Sequence, residues 1–134
     1  MANMTVHANK SATGTLAYTI GAGSHTFQTD VSRAAGGEDL GPSPHDLFDA
    51  ALAACTALTV TLYARRHGWP LEDARVVVER DDRVDAEGVY RLTRQIELVG
   101  TLDAQQRERL MEIAERCPIH KLMHATIEIT TRAV

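Results

Sequence analysis

The sequence predicts an α+β fold in which a largely antiparallel β-sheet packs on one long, buried central helix. Three observations carry this. A stretch opening at Ser43 and closing at Gly68 is apolar on most sides at helical spacing. The segments flanking it alternate apolar and polar residues as strands do. The order of elements, strands, long helix, strands, helix, strand, lacks the strand-helix-strand rhythm of a parallel sheet.

From Gly14 to Val31 the apolar residues Leu16, Tyr18 and Ile20 precede Gly21-Ala22-Gly23, with Phe27 and Val31 beyond it, the pattern of a hairpin. Arg33 to Gly41 carries Gly36-Gly37, Glu38 and Asp39, builds no apolar face and is expected as an exposed loop. The helix then starts at Ser43 as cap, with Pro44 in its first position and Asp46 placed to return a hydrogen bond to the cap. Leu47, Ala50, Ala51, Ala54, Leu58 and Leu62 mark one side, and Phe48, Leu52, Cys55 and Thr59 another, until Gly68 and Pro70 end the run. A helix apolar on most sides must be covered on most sides, and this chain has little sheet with which to do it. A homodimer is therefore expected.

Ala74 to Val78 and Val89 to Val99 follow as strands, joined through the polar Asp81 to Gly88. Tyr90, Leu92, Ile96 and Leu98 share one face, and Arg94 breaks their alternation. Asp103 with Gln106 marks a second capped helix, whose residues Leu110, Ile113, Ala114 and Cys117 run at helical spacing until Pro118. His120 to Ala125 is expected as a short helical piece and Thr126 to Thr131 as a last strand.

A chain of 134 residues, 44% hydrophobic and 24% charged with net charge -4, is long enough to build a core without staples, and no linker divides it. One domain over residues 1–134 is the expectation. The acidic balance and an aromatic content of 4% speak against nucleic acid as a partner. The most apolar stretch, Ala50 to Ala64, falls short of the ~20 residues of a membrane span, so no membrane partner is expected. The polar residues Met1 to Thr15 do not read as a secretory leader, and a cytoplasmic location with reduced thiols follows as an expectation.

Cysteine is among the most buried residue types, so composition alone reads Cys55 and Cys117 as small core fillers. Each, however, closes a dense motif. The segments Gly36-Gly37 to Gly41-Pro42-Ser43-Pro44, Ala50-Ala51-Leu52-Ala53-Ala54-Cys55-Thr56 and Cys117-Pro118-Ile119-His120, in that order, resemble the OsmC/Ohr family of osmotically inducible and organic hydroperoxide resistance proteins. The resemblance runs from about Thr13 to Thr131. It implies the OsmC-like fold, an intertwined α+β homodimer with its two cysteines facing each other near the subunit interface. It also implies a stress-response, antioxidant activity: thiol-dependent reduction of organic hydroperoxides, without metal, haem or other cofactor.

By this resemblance Cys55 is the peroxidatic thiolate, which becomes a sulfenic acid, and Cys117 resolves it as a Cys55-Cys117 disulfide that an external thiol or dithiol reductant resets. A thiol of pKa ~8.5 is only about 3% ionised at pH 7, and half-ionising it takes ~2 kcal/mol. Cys55 lies too far into its helix to gain much from that helix's dipole, and burial opposes ionisation, so a cation is expected to supply the difference. The family uses an Arg for this, oriented by a carboxylate near the start of the central helix. Arg33 is the candidate cation and Asp46 the candidate carboxylate. Well-studied hydroperoxide-resistance members have Glu directly after the Pro matching Pro44, where this chain has His45; more divergent OsmC-like members carry the acid at the position of Asp46.

Two alternatives accompany the peroxidase. One is an OsmC-like redox or small-molecule-binding protein with little peroxidase turnover, favoured by His45. The other is a metal module, since Cys117, His120 and His124 follow a C-x2-H-x3-H pattern that Cys55 would complete; the tract lacks a second ligand pair, and no metal is expected.

Overall fold

The structure is a computed structural model that describes residues 4–81 and 88–134. The chain forms two compact units, Met1–Phe48 and Asp49–Val134.

The first unit is a three-stranded antiparallel sheet in the order β1 (Val6–Lys10), β2 (Tyr18–Ala22), β3 (His25–Thr29). The expected hairpin is β2-β3, turning at Gly23, whose φ of 60° a glycine adopts without strain. Strand β1 was not anticipated from the sequence. All five of its residues are exposed, so no alternation of burial marks it, and it joins β2 through a backbone ladder that is indifferent to side-chain polarity.

The glycine-rich segment after β3 is more ordered than an exposed loop. A short 3-10 turn, Arg33–Ala35, is capped by the Ser32 side chain and ends on Gly36 at φ 97°. The buried Asp30 carboxylate accepts from the backbone N–H groups of Val31 (2.8 Å), Glu38 (3.1 Å) and Leu40 (3.2 Å). Gly41 has no room for a Cβ, which would run into the Gln28 carbonyl.

Helix α1 (Pro44–Arg66) starts as the sequence predicts: the Asp46 N–H donates to Ser43 Oγ at 3.2 Å, and the Ser43 N–H donates to the Asp46 carboxylate at 3.1 Å. Gly68, at φ 66°, follows its end. With 23 residues the helix is long and apolar enough to cross a membrane, which corrects the shorter estimate. Within the chain only Leu52, Thr56, Val60 and Ala64 are buried, a single stripe of every fourth residue, while Phe48, Leu58 and Leu62 are exposed.

In the second unit β4 (Leu71–Asp81) and β5 (Arg91–Gly100) form an antiparallel hairpin; part of its expected polar connection, residues 82–87, lies outside the described residues. Val76 pairs with Ile96 and Val78 with Arg94, so one face carries Ala74, Val76, Val78 and Arg80 beside Leu92, Arg94, Ile96 and Leu98. Asp49 of α1 accepts from Arg80 (2.9 Å) and from the Tyr90 hydroxyl (2.7 Å), tying the helix to the hairpin.

Helix α2 (Ala104–Ala114) has the predicted Asp103/Gln106 capping box. Its Arg107 donates to the carbonyls of Leu98 and Gly100 at the end of β5. The core joins Val60 and Ala64 of α1 to Leu110, Ile113 and Ala114 of α2, with Trp69, Ile96 and Leu98 against them. The chain then bends at Cys117 into α3 (Pro118–Met123).

The expected last strand is absent. Residues 126–131 pair with no strand among the described residues, and Ile127 and Ile129 are 61% and 83% exposed. Their alternation is compatible with a strand, but a strand needs a neighbouring backbone and the described residues provide none there.

Candidate functional site

Cys117 stands at the junction of α2 and α3 for a local reason. Pro118 occupies the first position of α3, where its missing N–H costs nothing, so the next two N–H groups are the ones left without helical acceptors. Each finds a sulfur. The His120 N–H donates to Cys117 Sγ at 3.3 Å, and the Ile119 N–H reaches Cys55. The Cys-Pro step therefore places the start of one helix against the middle of another.

Both cysteines are free thiols, Cys117 fully buried and Cys55 half-buried. Burial pushes the Cys55 thiol up, but hydrogen bonds from the Ile119 N–H, the Thr59 hydroxyl (3.8 Å) and the Cys117 thiol outweigh it, and the net shift is downward. Hydrogen-bonding groups on α3, on α1 itself and on Cys117 carry this downward shift.

The predicted site residues fall into two groups. Cys55 and Cys117 come together in the second unit. Arg33 and Asp46 belong to the first, Arg33 as an exposed residue of the 3-10 turn and Asp46 in the capping box at the start of α1.

The second unit contributes two site residues of its own. Thr56, fully buried one residue after Cys55, donates its hydroxyl to the Leu52 carbonyl (2.7 Å) and lies 3.9 Å from Cys117 Sγ. Arg94, its side chain only 10% exposed, donates to Thr56 Oγ1 at 2.9 Å and to Glu115 at 3.2 Å. Thr56 gave no sequence signal beyond closing the Ala50-to-Thr56 motif. Arg94 did: it is the break in alternation of β5, and the break marks a cation turned to the inner face.

The tract proposed for metal is arranged otherwise. His120 stacks on His124 at 4.9 Å and faces Glu115 at 3.7 Å, and no three His, Cys, Asp or Glu side chains converge on a metal position among the described residues. An open cavity of about 550 Å³ between Tyr63, Trp69 and Arg109 holds neither cysteine.

A thiol pair presented by a long helix and a Cys-Pro helix start, on an α+β scaffold of antiparallel sheets, defines a class of dithiol proteins. Residues 36–132 match the family described as OsmC-like protein, and the chain belongs to that family. Solved structures share the fold at low identity. An OsmC-like protein from Mycoplasma pneumoniae superposes with a TM-score of 0.72 at 16% identity, covering 92% of this chain and 88% of that one. An organic hydroperoxide resistance protein OsmC from Legionella pneumophila gives 0.66 at 22% identity, with 92% and 90% covered. The organic hydroperoxide resistance protein OhrB of Bacillus subtilis gives 0.58 at 22% identity, with 91% and 90% covered. No curated protein matches the chain.

Proposed function

We propose that this protein is a thiol-dependent peroxidase that reduces organic hydroperoxides. The observation that carries the proposal is the pairing of Cys55, whose thiol is held below its ordinary pKa, with the buried free thiol of Cys117. The Cys55 thiolate attacks the distal peroxide oxygen, the O–O bond breaks, Cys55 becomes a sulfenic acid, and the alkoxide leaves as the alcohol by taking up the proton that Cys55 lost on ionising. Cys117 then attacks that sulfur; the S–S bond forms, the S–O bond breaks, and the hydroxyl leaves as water with the Cys117 proton. An external dithiol reductant returns the pair to the reduced state, and the cycle uses no metal or cofactor. Arg33 and Asp46 retain the roles that family resemblance gives them, activating cation and orienting carboxylate.

The active species in this proposal is a cytoplasmic homodimer. The exposed Phe48, Leu58 and Leu62 of α1 and the unpaired, alternating Thr126–Thr131 support it, since both are surfaces a second copy would cover. Sedimentation at micromolar concentration is expected to give about twice the 14.7 kDa chain mass. A species of 14.7 kDa alone would remove the dimer from the proposal.

One equivalent of cumene hydroperoxide is expected to convert the reduced protein to an intramolecular disulfide, with a loss of about two mass units per chain. Cys55→Ser abolishes peroxide consumption, whereas Cys117→Ser reacts once and leaves a sulfenic acid that dimedone traps. A wild-type protein still reduced after minutes in excess peroxide would sink the proposal. The binding-protein reading would then take over, with the apolar cavity of about 350 Å³ in the first unit, lined by Leu16, Tyr18, Ile20 and Val31, as its site.

A further inference from the structure

Arg94 bonds Thr56 and Glu115, and its location needs a reason. It occupies an inward position on β5 between Leu92 and Ile96, opposite Val78, where an apolar residue would continue the pattern. Burying a guanidinium is costly unless it is paired. Its carboxylate partner, Glu115, is 66% exposed, so water screens that pair and leaves much of the positive charge unbalanced on the buried side.

The buried side is Thr56, and the protons there can be counted. The hydroxyl has one proton, donated to the Leu52 carbonyl at 2.7 Å, and its oxygen accepts from Arg94 at 2.9 Å. With its only proton placed, Thr56 Oγ1 meets Cys117 Sγ at 3.9 Å as an acceptor, so the single Cys117 S–H proton has two acceptors in reach, Thr56 Oγ1 and Cys55. When that thiol loses its proton the contact must invert, the hydroxyl turning its own proton from Leu52 to the sulfur. The Leu52 carbonyl keeps its helical N–H partner through the change. A guanidinium on the hydroxyl oxygen polarises it as a donor and places positive charge behind it.

We propose that Arg94 is a positioning residue for Cys117: through the Thr56 hydroxyl it holds the buried sulfur and stabilises it as a thiolate while it attacks the sulfenic acid on Cys55. The resolving step rests on the peroxidase proposal above; the stabilisation of the Cys117 thiolate does not. Among the described residues, the titratable and charged groups tied to Cys117 or to its bonding partners are Cys55 from α1, Arg94 from β5, Glu115 after α2 and His120 and Lys121 from α3, with Arg116 preceding it in the chain. Among them only Arg94 reaches the sulfur through a hydroxyl that reverses its bond.

The test measures Cys117 ionisation without peroxide, by thiolate absorbance at 240 nm in Cys55→Ser protein, with the double Cys→Ser protein as blank. Arg94→Gln is expected to raise the midpoint by about one pH unit, a tenfold loss of thiolate at fixed pH, and Arg94→Lys to restore part of it. Thr56→Val cuts the same link with Arg94 still in place and gives a similar rise, so it carries the test if Arg94→Gln does not fold. In protein with both cysteines, stopped-flow with cumene hydroperoxide separates a peroxide-dependent phase from a peroxide-independent one. Arg94→Gln slows the second about tenfold more than the first. Midpoints unchanged in both Arg94→Gln and Thr56→Val overturn the proposal. If the midpoints move but the wild type consumes no peroxide, the peroxidase proposal fails and the role of Arg94 toward Cys117 stands.

Discussion

Asp30 in the first unit and Thr56 in the second are the two buried polar residues among the described residues, and they are satisfied in opposite ways. Asp30 uses backbone N–H groups from its own loop, the farthest of them on Leu40, ten residues away. Thr56 joins three elements, with Leu52 in its own helix, Arg94 on β5 and Cys117 at the start of α3. The first arrangement is held by local chain geometry. The second exists only when helix, hairpin and Cys-Pro turn are packed together.

That contrast breaks most visibly at Leu110, fully buried in the core that joins α1 to α2. Leu110→Ala is expected to cost about 2–5 kcal/mol, measured by urea denaturation. Hydrogen exchange on the same variant should show the His120 amide losing protection while the amides of Val31, Glu38 and Leu40 keep theirs. Equal loss at both places would show that the Asp30 loop depends on the second unit's core.

A smaller effect sharpens the comparison from the other side. The N–H of Val31, ahead of those of Leu40 and Glu38, holds the Asp30 carboxyl below its ordinary value of 3.8, against an upward push from burial, with Lys10 adding a weaker attraction. A carboxyl depressed in the folded state contributes stability that is fully present above 3.8 and lost as the pH falls through the lowered value. Thermal melts between pH 5 and pH 2 should therefore lose stability below about pH 4, and Asp30→Ala should flatten that acid limb. An unchanged limb in the variant would assign the acid loss to other carboxylates.

How much of this was legible before folding follows the same division. The capped start of α1 at Ser43 and Asp46, the Asp103/Gln106 box, the β2-β3 hairpin and the stop at Pro118 were all readable, because each depends on residues a few positions apart. The two cysteines were readable through motifs that span little more than a turn each. Strand β1 was not, because its exposed side chains carry no period and only its backbone pairs. The last strand was over-read from alternation, which describes a strand's faces and says nothing about whether a partner backbone is there.

Sequence alone thus determined the β2-β3 hairpin, the capped helix starts and the two thiols, since local sterics, capping hydrogen bonds and side-chain period act within a few residues. The tertiary structure decided what surrounds those thiols. The Ile119 N–H meets Cys55 only because α3 starts against α1, whereas the His120 N–H bonds Cys117 within its own cap. Arg94 meets Thr56 only because the β4-β5 register turns an even-numbered residue inward opposite Val78. Hydrogen bonds act over about 3 Å, so contacts between residues 38 positions apart are fixed by the packing of whole elements, whose register no single segment encodes.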